Sequence, residues 1–154
     1  MKVKKIKVAA ATIVIGLMMI GASQAALRAQ QTDKSLSVWE GVYTKEQAKR
    51  GEELYVQNCS ACHGPDLAGN DEAAPLAGPV FLSSWDGLSV GDLANRVRVS
   101  MPPNNLGKLS RQQIVDILSY VLSFNNFPAG KSELDPKPEL LKQVRVEGTK
   151  PKAK

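Results

Sequence analysis

The chain has 154 residues and a formal net charge of +5, with 43% hydrophobic and 5% aromatic residues, two cysteines and one histidine. That length holds one domain with a modest core, plus tails. Four of the 20 Lys and Arg residues lie in the first 25 positions, which leaves 16 against 15 Asp and Glu in the rest, so a basic nucleic-acid surface is not indicated and no nucleic-acid partner is expected.

Residues 1–25 read as an address. Lys2, Lys4, Lys5 and Lys7 form a basic start, and Val8 to Ile20 is an apolar run interrupted only by Thr12 and Gly16. Ser23-Gln24-Ala25 then places small residues at the −3 and −1 positions of a cleavage site, the order of a secretory signal peptide. The expected location is the periplasm. The alternative is an uncleaved anchor helix, because the apolar run approaches the roughly 20 residues a span needs; contact with a membrane is expected only in that case. No Cys lies near the site, so a lipid anchor is not expected.

Residues 26–43 have little periodicity and are expected to form an irregular N-terminal extension. Residues 44–127 carry the helical patterns. Thr44 followed by Gln47 is a capping-box start, opening a helix towards Gln57 with Ala48, Gly51, Leu54 and Tyr55 on one face. Ser89 with Asp92 starts a second helix, in which Leu93 and Val97 stand four apart and which Pro102 and Pro103 terminate. Ser110 with Gln113 starts a third, with Ile114, Ile117, Leu118 and Val121 as its apolar stripe. Residues 128–154 are broken by Pro128, Pro136, Pro138 and Pro151. There "PELLKQVRV" is expected to dock and "EGTKPKAK" to be disordered. No alternating run argues for a sheet, so the class is all-α: three to four short helices and long loops.

Helices this short bury little apolar area, and such domains need a disulfide, a metal or a cofactor. Cys59, Cys62 and His63 stand together in "CSACHGPDLAGN". A Cys59–Cys62 disulfide closes too small a loop to add much constraint. A zinc site needs further Cys or His, and the sequence has none. A thioredoxin-like redox pair expects strands alternating with helices. C-x-x-C-H is the attachment motif of a c-type haem, with Cys59 and Cys62 forming thioethers to the vinyl groups and His63 as the proximal iron ligand. One covalently attached haem c, with its iron, is therefore the expected cofactor.

A second histidine is absent, and Met101 in "VSMPPNN" is the only Met left once Met1, Met18 and Met19 are cleaved away. Met101 is accordingly the expected sixth ligand, with flexible core filler as the alternative role for a lone Met. A His/Met pair favours ferrous iron, raises the reduction potential and leaves no open position for a substrate. No catalytic residue is expected, and the chain is not read as an enzyme.

These residues resemble class I cytochrome c over roughly positions 44–124. Gly51-x-x-x-Tyr55-x-x-x-Cys59 resembles that family's N-terminal helix, and Ile117-x-x-Tyr120 the C-terminal helix that packs on it. "AAPLAG" resembles the P-x-L-x-G loop, with a departure: Ala74 stands where the family has the proline whose carbonyl receives the axial histidine's N–H, and Pro75 is one place along. Position 74 still supplies a carbonyl. Trp85 resembles the tryptophan that donates to a haem propionate, with a core Trp as the alternative. Over most of residues 40–147, "GVYTKEQAKRGEELY", "LSVGDLANRVRVSMPPNN", "LSRQQIVDILSYVLSFNNFPAG" and "SELDP…ELLKQVRV" are similar to the monohaem cytochromes that accompany bacterial quinoprotein (PQQ-dependent) alcohol dehydrogenases. That resemblance implies a cytochrome c-like fold and a one-electron carrier, with a periplasmic dehydrogenase as donor and a terminal oxidase or another cytochrome as acceptor. A permanent cytochrome subunit of a dehydrogenase complex is the alternative.

Overall fold

Side-chain caps start three of the helices in the computed structural model, which describes residues 35–152. Helix α1 (Lys45–Asn58) begins at Thr44, whose hydroxyl accepts the Gln47 N–H at 3.1 Å. The box is only half made, because the Gln47 side chain turns inward and not back to its cap. Two helices follow whose starts carry no side-chain cap: the single turn α2 (Ser60–His63) and α3 (Gly78–Trp85). Helix α4 (Val90–Ser100) has the full reciprocal box between Ser89 and Asp92, and α5 (Arg111–Phe124) has it between Ser110 and Gln113. Hydrogen bonds from the Ser89 side chain and backbone hold the Asp92 carboxyl below the usual carboxylate range. A short α6 (Pro138–Leu141) lies in the C-terminal extension. With six helices and almost no strand among the described residues, the fold is all-α, as expected.

The main packing unit is α1 against α5. Gly51 allows it: a Cβ there would overlap the Asp116 carbonyl oxygen and lie 2.5 Å from the Asp116 carbonyl carbon. Tyr55 and Tyr120 meet beside this crossing, ring centroids 5.4 Å apart. At its edge Arg50 donates to both carboxylate oxygens of Asp116, at 3.3 and 3.2 Å, and to both of Glu133, each at 2.9 Å.

In the C-terminal extension "PELLKQVRV" docks, with Leu141, Val144 and Val146 buried, and parts of both extensions are more regular than expected. Residues 36–40 are ordered: strand β1 (Leu36–Ser37) pairs in parallel with β2 (Val144–Arg145), Leu36 opposite Val144 and Ser37 opposite Arg145, and Val38–Glu40 form a 3-10 turn. Ser37 caps that turn in a box with Glu40, a short-range signal present in "SVWE". The start of "EGTKPKAK" is also fixed. Trp39 Nε1 donates to the Glu147 carbonyl at 2.8 Å, Ser37 Oγ donates to the Glu147 carboxylate, and Gly148 N–H donates to Asp86 Oδ1 at 2.8 Å. Residues 153 and 154 lie outside the described residues, as do the expected signal peptide and anchor alternative in residues 1–34.

The shortage of core expected from the helices alone is met in part by these extensions. Val38, Tyr43, Leu134, Leu141, Val144 and Val146 are all buried alongside Tyr55, Phe81, Leu118 and Leu122. Tyr43 donates its hydroxyl to the Phe127 carbonyl at 2.5 Å, and Gly130 N–H donates to the Tyr43 carbonyl at 2.7 Å. Gln47, fully buried, closes a two-way bond with the tail: its Nε2 donates to the Leu134 carbonyl at 3.1 Å and its Oε1 accepts the Leu134 N–H at 2.7 Å. Gln47→Ala leaves both backbone groups without that partner and should lower stability by about 2 kcal/mol, the cost of a buried hydrogen-bonding group left unmade. A urea midpoint equal to the parent's would mean the tail is not held there.

Candidate haem site

The end of α1 builds the motif. Cys59 terminates that helix, its N–H donating to the Tyr55 carbonyl at 2.8 Å, and its own carbonyl accepts the N–H of Cys62 at 3.1 Å and of His63 at 2.9 Å. One helical turn therefore carries both sulfurs and the imidazole. Both cysteines are free thiols, Cys59 half-buried and Cys62 exposed. Burial, with Cys62 nearby, pushes the Cys59 thiol up to about 11. A thioredoxin-like pair works through a depressed thiol pKa, so this shift is of the wrong sign for that chemistry. Behind the turn, Tyr55 donates its hydroxyl to the Gly64 carbonyl at 2.6 Å, and burial raises its pKa, which keeps the donor in place.

The ring of His63 is oriented by the loop that follows. Nδ1 lies 2.8 Å from the Ala74 carbonyl oxygen. A carbonyl only accepts, so the proton sits on Nδ1 and the Nε2 lone pair is left for a metal. This is the bond expected at position 74. The chain reaches Ala74 by a reversal at Gly69, where φ is +72°. A Cβ on Gly69 would lie 2.7 Å from Pro75 N and 2.8 Å from the Ala74 carbonyl carbon, so only glycine lets the returning chain come this close. Asn125, at the end of α5, fixes the loop's far end: its Nδ2 donates to the Leu76 carbonyl at 2.9 Å and its Oδ1 accepts the Gly78 N–H at 3.0 Å.

Met101 is presented separately, as the residue that caps the C-terminus of α4. Its N–H donates to the Val97 carbonyl at 2.9 Å, its backbone is extended and its side chain is half-buried. Trp85 ends α3 and packs on Phe81, ring centroids 6.5 Å apart, as a core tryptophan does. Gly69, Asn70 and Asn125 are site residues that motif reading did not single out. "GN" after the motif is a turn signal and the only local hint of the first two.

The motif residues fit a c-type haem: two thiols on one turn and an imidazole with its outer nitrogen already bonded. Among the described residues no group of three His, Cys, Asp or Glu side chains is placed to hold a metal ion, and no helix is long and apolar enough to cross a membrane.

The family described as cytochrome C oxidase, cbb3-type, subunit III matches residues 46–121, the span from α1 through most of α5. That match covers just under half of the chain and falls on the positions that resemble class I cytochrome c. Among solved structures, the sulfane dehydrogenase SoxCD from Paracoccus pantotrophus is similar over 70% of this chain, at 21% identity and a TM-score of 0.45. The chain spans 61% of that protein's chain. No curated protein matches the sequence.

Proposed function

We propose that this chain is a periplasmic one-electron carrier with a single haem c, attached through Cys59 and Cys62 and ligated by His63 and Met101. The haem, when bound, supplies the ferric/ferrous couple. The chain's own residues hold the imidazole by its Nδ1 proton and present a thioether from a helix end. The observation that carries this reading is the 2.8 Å bond from His63 Nδ1 to the Ala74 carbonyl, which orients the ring while leaving Nε2 free. Residues 1–25 are its export signal. A periplasmic dehydrogenase, of the quinoprotein alcohol-oxidising kind, is its donor, and a terminal oxidase or another cytochrome accepts from it.

A freely diffusing carrier is favoured over a permanent subunit because the extensions are used internally. Val38, Leu134, Val144 and Val146 are buried in the chain's own core, so the described parts of these segments, residues 35–43 and 128–152, do not stand out as arms for another protein. The test is the intact mass of protein purified from an export- and haem-competent host. It should equal the chain from Ala26 onward plus one haem that survives denaturation. Haem extracted into acidified organic solvent would overturn covalent attachment, and a retained N-terminal segment would favour the anchor.

A further inference from the structure

Asn70 is an exposed side chain with its amide engaged entirely by backbone. Nδ2 donates to the Cys62 carbonyl at 3.0 Å, and Oδ1 accepts the N–H groups of Glu72 and Ala73, both at 2.8 Å. Its own N–H donates to the Ala73 carbonyl at 2.9 Å. One residue beyond Cys62 is His63, and one residue beyond Ala73 is Ala74. A single amide thus spans the two segments joined by the His63–Ala74 bond and fixes each of them one residue away from it. Gly69 N–H, donating to the His63 carbonyl at 2.9 Å, anchors the residue before Asn70 to the same histidine.

We propose that Asn70 is a positioning residue for His63: it sets the length and direction of the Nδ1–H bond to Ala74, and through it the electron donation of Nε2 to the iron. The inference rests on His63 being the axial ligand. A hydrogen bond at the outer nitrogen fixes the ring plane and raises ligand basicity, and a more basic ligand favours the ferric state. Loosening the Ala74 carbonyl therefore favours the ferrous state. A side chain that merely closed an Asx turn over residues 70–73 would not need its Nδ2 bond to Cys62, and its loss would not reach the iron.

The experiment compares the holoprotein with Asn70→Ala and Asn70→Ser, by redox titration and by the paramagnetically shifted ring-proton resonances of His63 in the ferric state. Serine keeps an oxygen for the turn but is too short to bridge to Cys62. In both variants the ferrous-to-ferric ratio at fixed ambient potential should rise several-fold, up to the tenfold equivalent to about 59 mV for one electron. The His63 ring resonances should move, and its Nδ1 proton should exchange faster. If the alanine variant does not accumulate with haem, the serine variant decides. Parent-like potential and ring resonances in the surviving variant, whatever its thermal stability, would overturn the proposal. Failure of the underlying reading looks different: His63 ring protons without a paramagnetic shift in the parent itself would show that another group ligates the iron.

Discussion

Gly51→Val should destabilise the protein by about 3 kcal/mol or more, at or beyond the upper end of ordinary overpacking. The reason is what the new side chain meets. A Cβ at position 51 overlaps the Asp116 carbonyl oxygen and lies 3.1 Å from Ile117 N, atoms in the middle of a 14-residue helix that cannot swing aside as a side chain would. Intrinsic helix preference runs the other way, since glycine is the poorer helix former by less than about 1 kcal/mol, so overlap decides the sign. Relief would require α1 and α5 to separate. That separation would also stretch the Arg50–Asp116 pair and the Tyr55–Tyr120 contact, which sit on the same crossing. Gly51→Ala should show a smaller loss of the same sign. Urea denaturation measures both, and an alanine variant as stable as the parent would mean that the helices do not cross at Gly51.

Met101→Ala should leave the fold nearly intact and change the redox chemistry. The backbone at this position is held by the Met101 N–H bond to Val97 and by the two prolines that follow, none of which depends on the thioether. Truncation removes a half-buried, flexible side chain and little else from the protein. If the sulfur is the sixth ligand, the ferric long-wavelength band of Met–iron coordination disappears. The potential should fall on the order of 100 mV or more, within the roughly 0.8 V that axial ligation commands. An unchanged ferric spectrum would assign the position to another group. Lys108, in the same loop, is then the first to replace.

How much of this was legible in the sequence follows from the range of each interaction. Ser89–Asp92 and Ser110–Gln113 are contacts across three residues, written as adjacent letters, and both helices start where those letters place them. Helix α3 was missed because Ala77 has no polar side-chain atom to announce a cap; the Gly78-Pro79 step, proline in a first turn, was its only signal. Gln47 shows the opposite failure. Its spacing from Thr44 is that of a capping box, but burial against Leu134, 87 residues on, claims the side chain for the tail. The strand pair is only two residues long on each side, below any periodicity. At the site, Cys59, Cys62 and His63 are contiguous and were evident. The Ala74 carbonyl followed only through resemblance, since a backbone acceptor has no letter of its own. Asn70 and Asn125 act entirely on backbone groups, and nothing in their identity reveals which ones.

The pairing of Leu36–Ser37 with Val144–Arg145 fixes an order of events. Its partners are more than a hundred residues apart, so it closes a loop that contains the whole helical domain, and closure of so long a loop comes late. A chain that emerges N-terminus first presents Cys59 and Cys62 long before Val144 exists to complete the wrap. In that interval Val38 and Tyr43 lack Leu134 and Val146, the later-made members of the same buried cluster. The C-terminal segment is therefore a strap whose docking completes the core after the helical domain has been made.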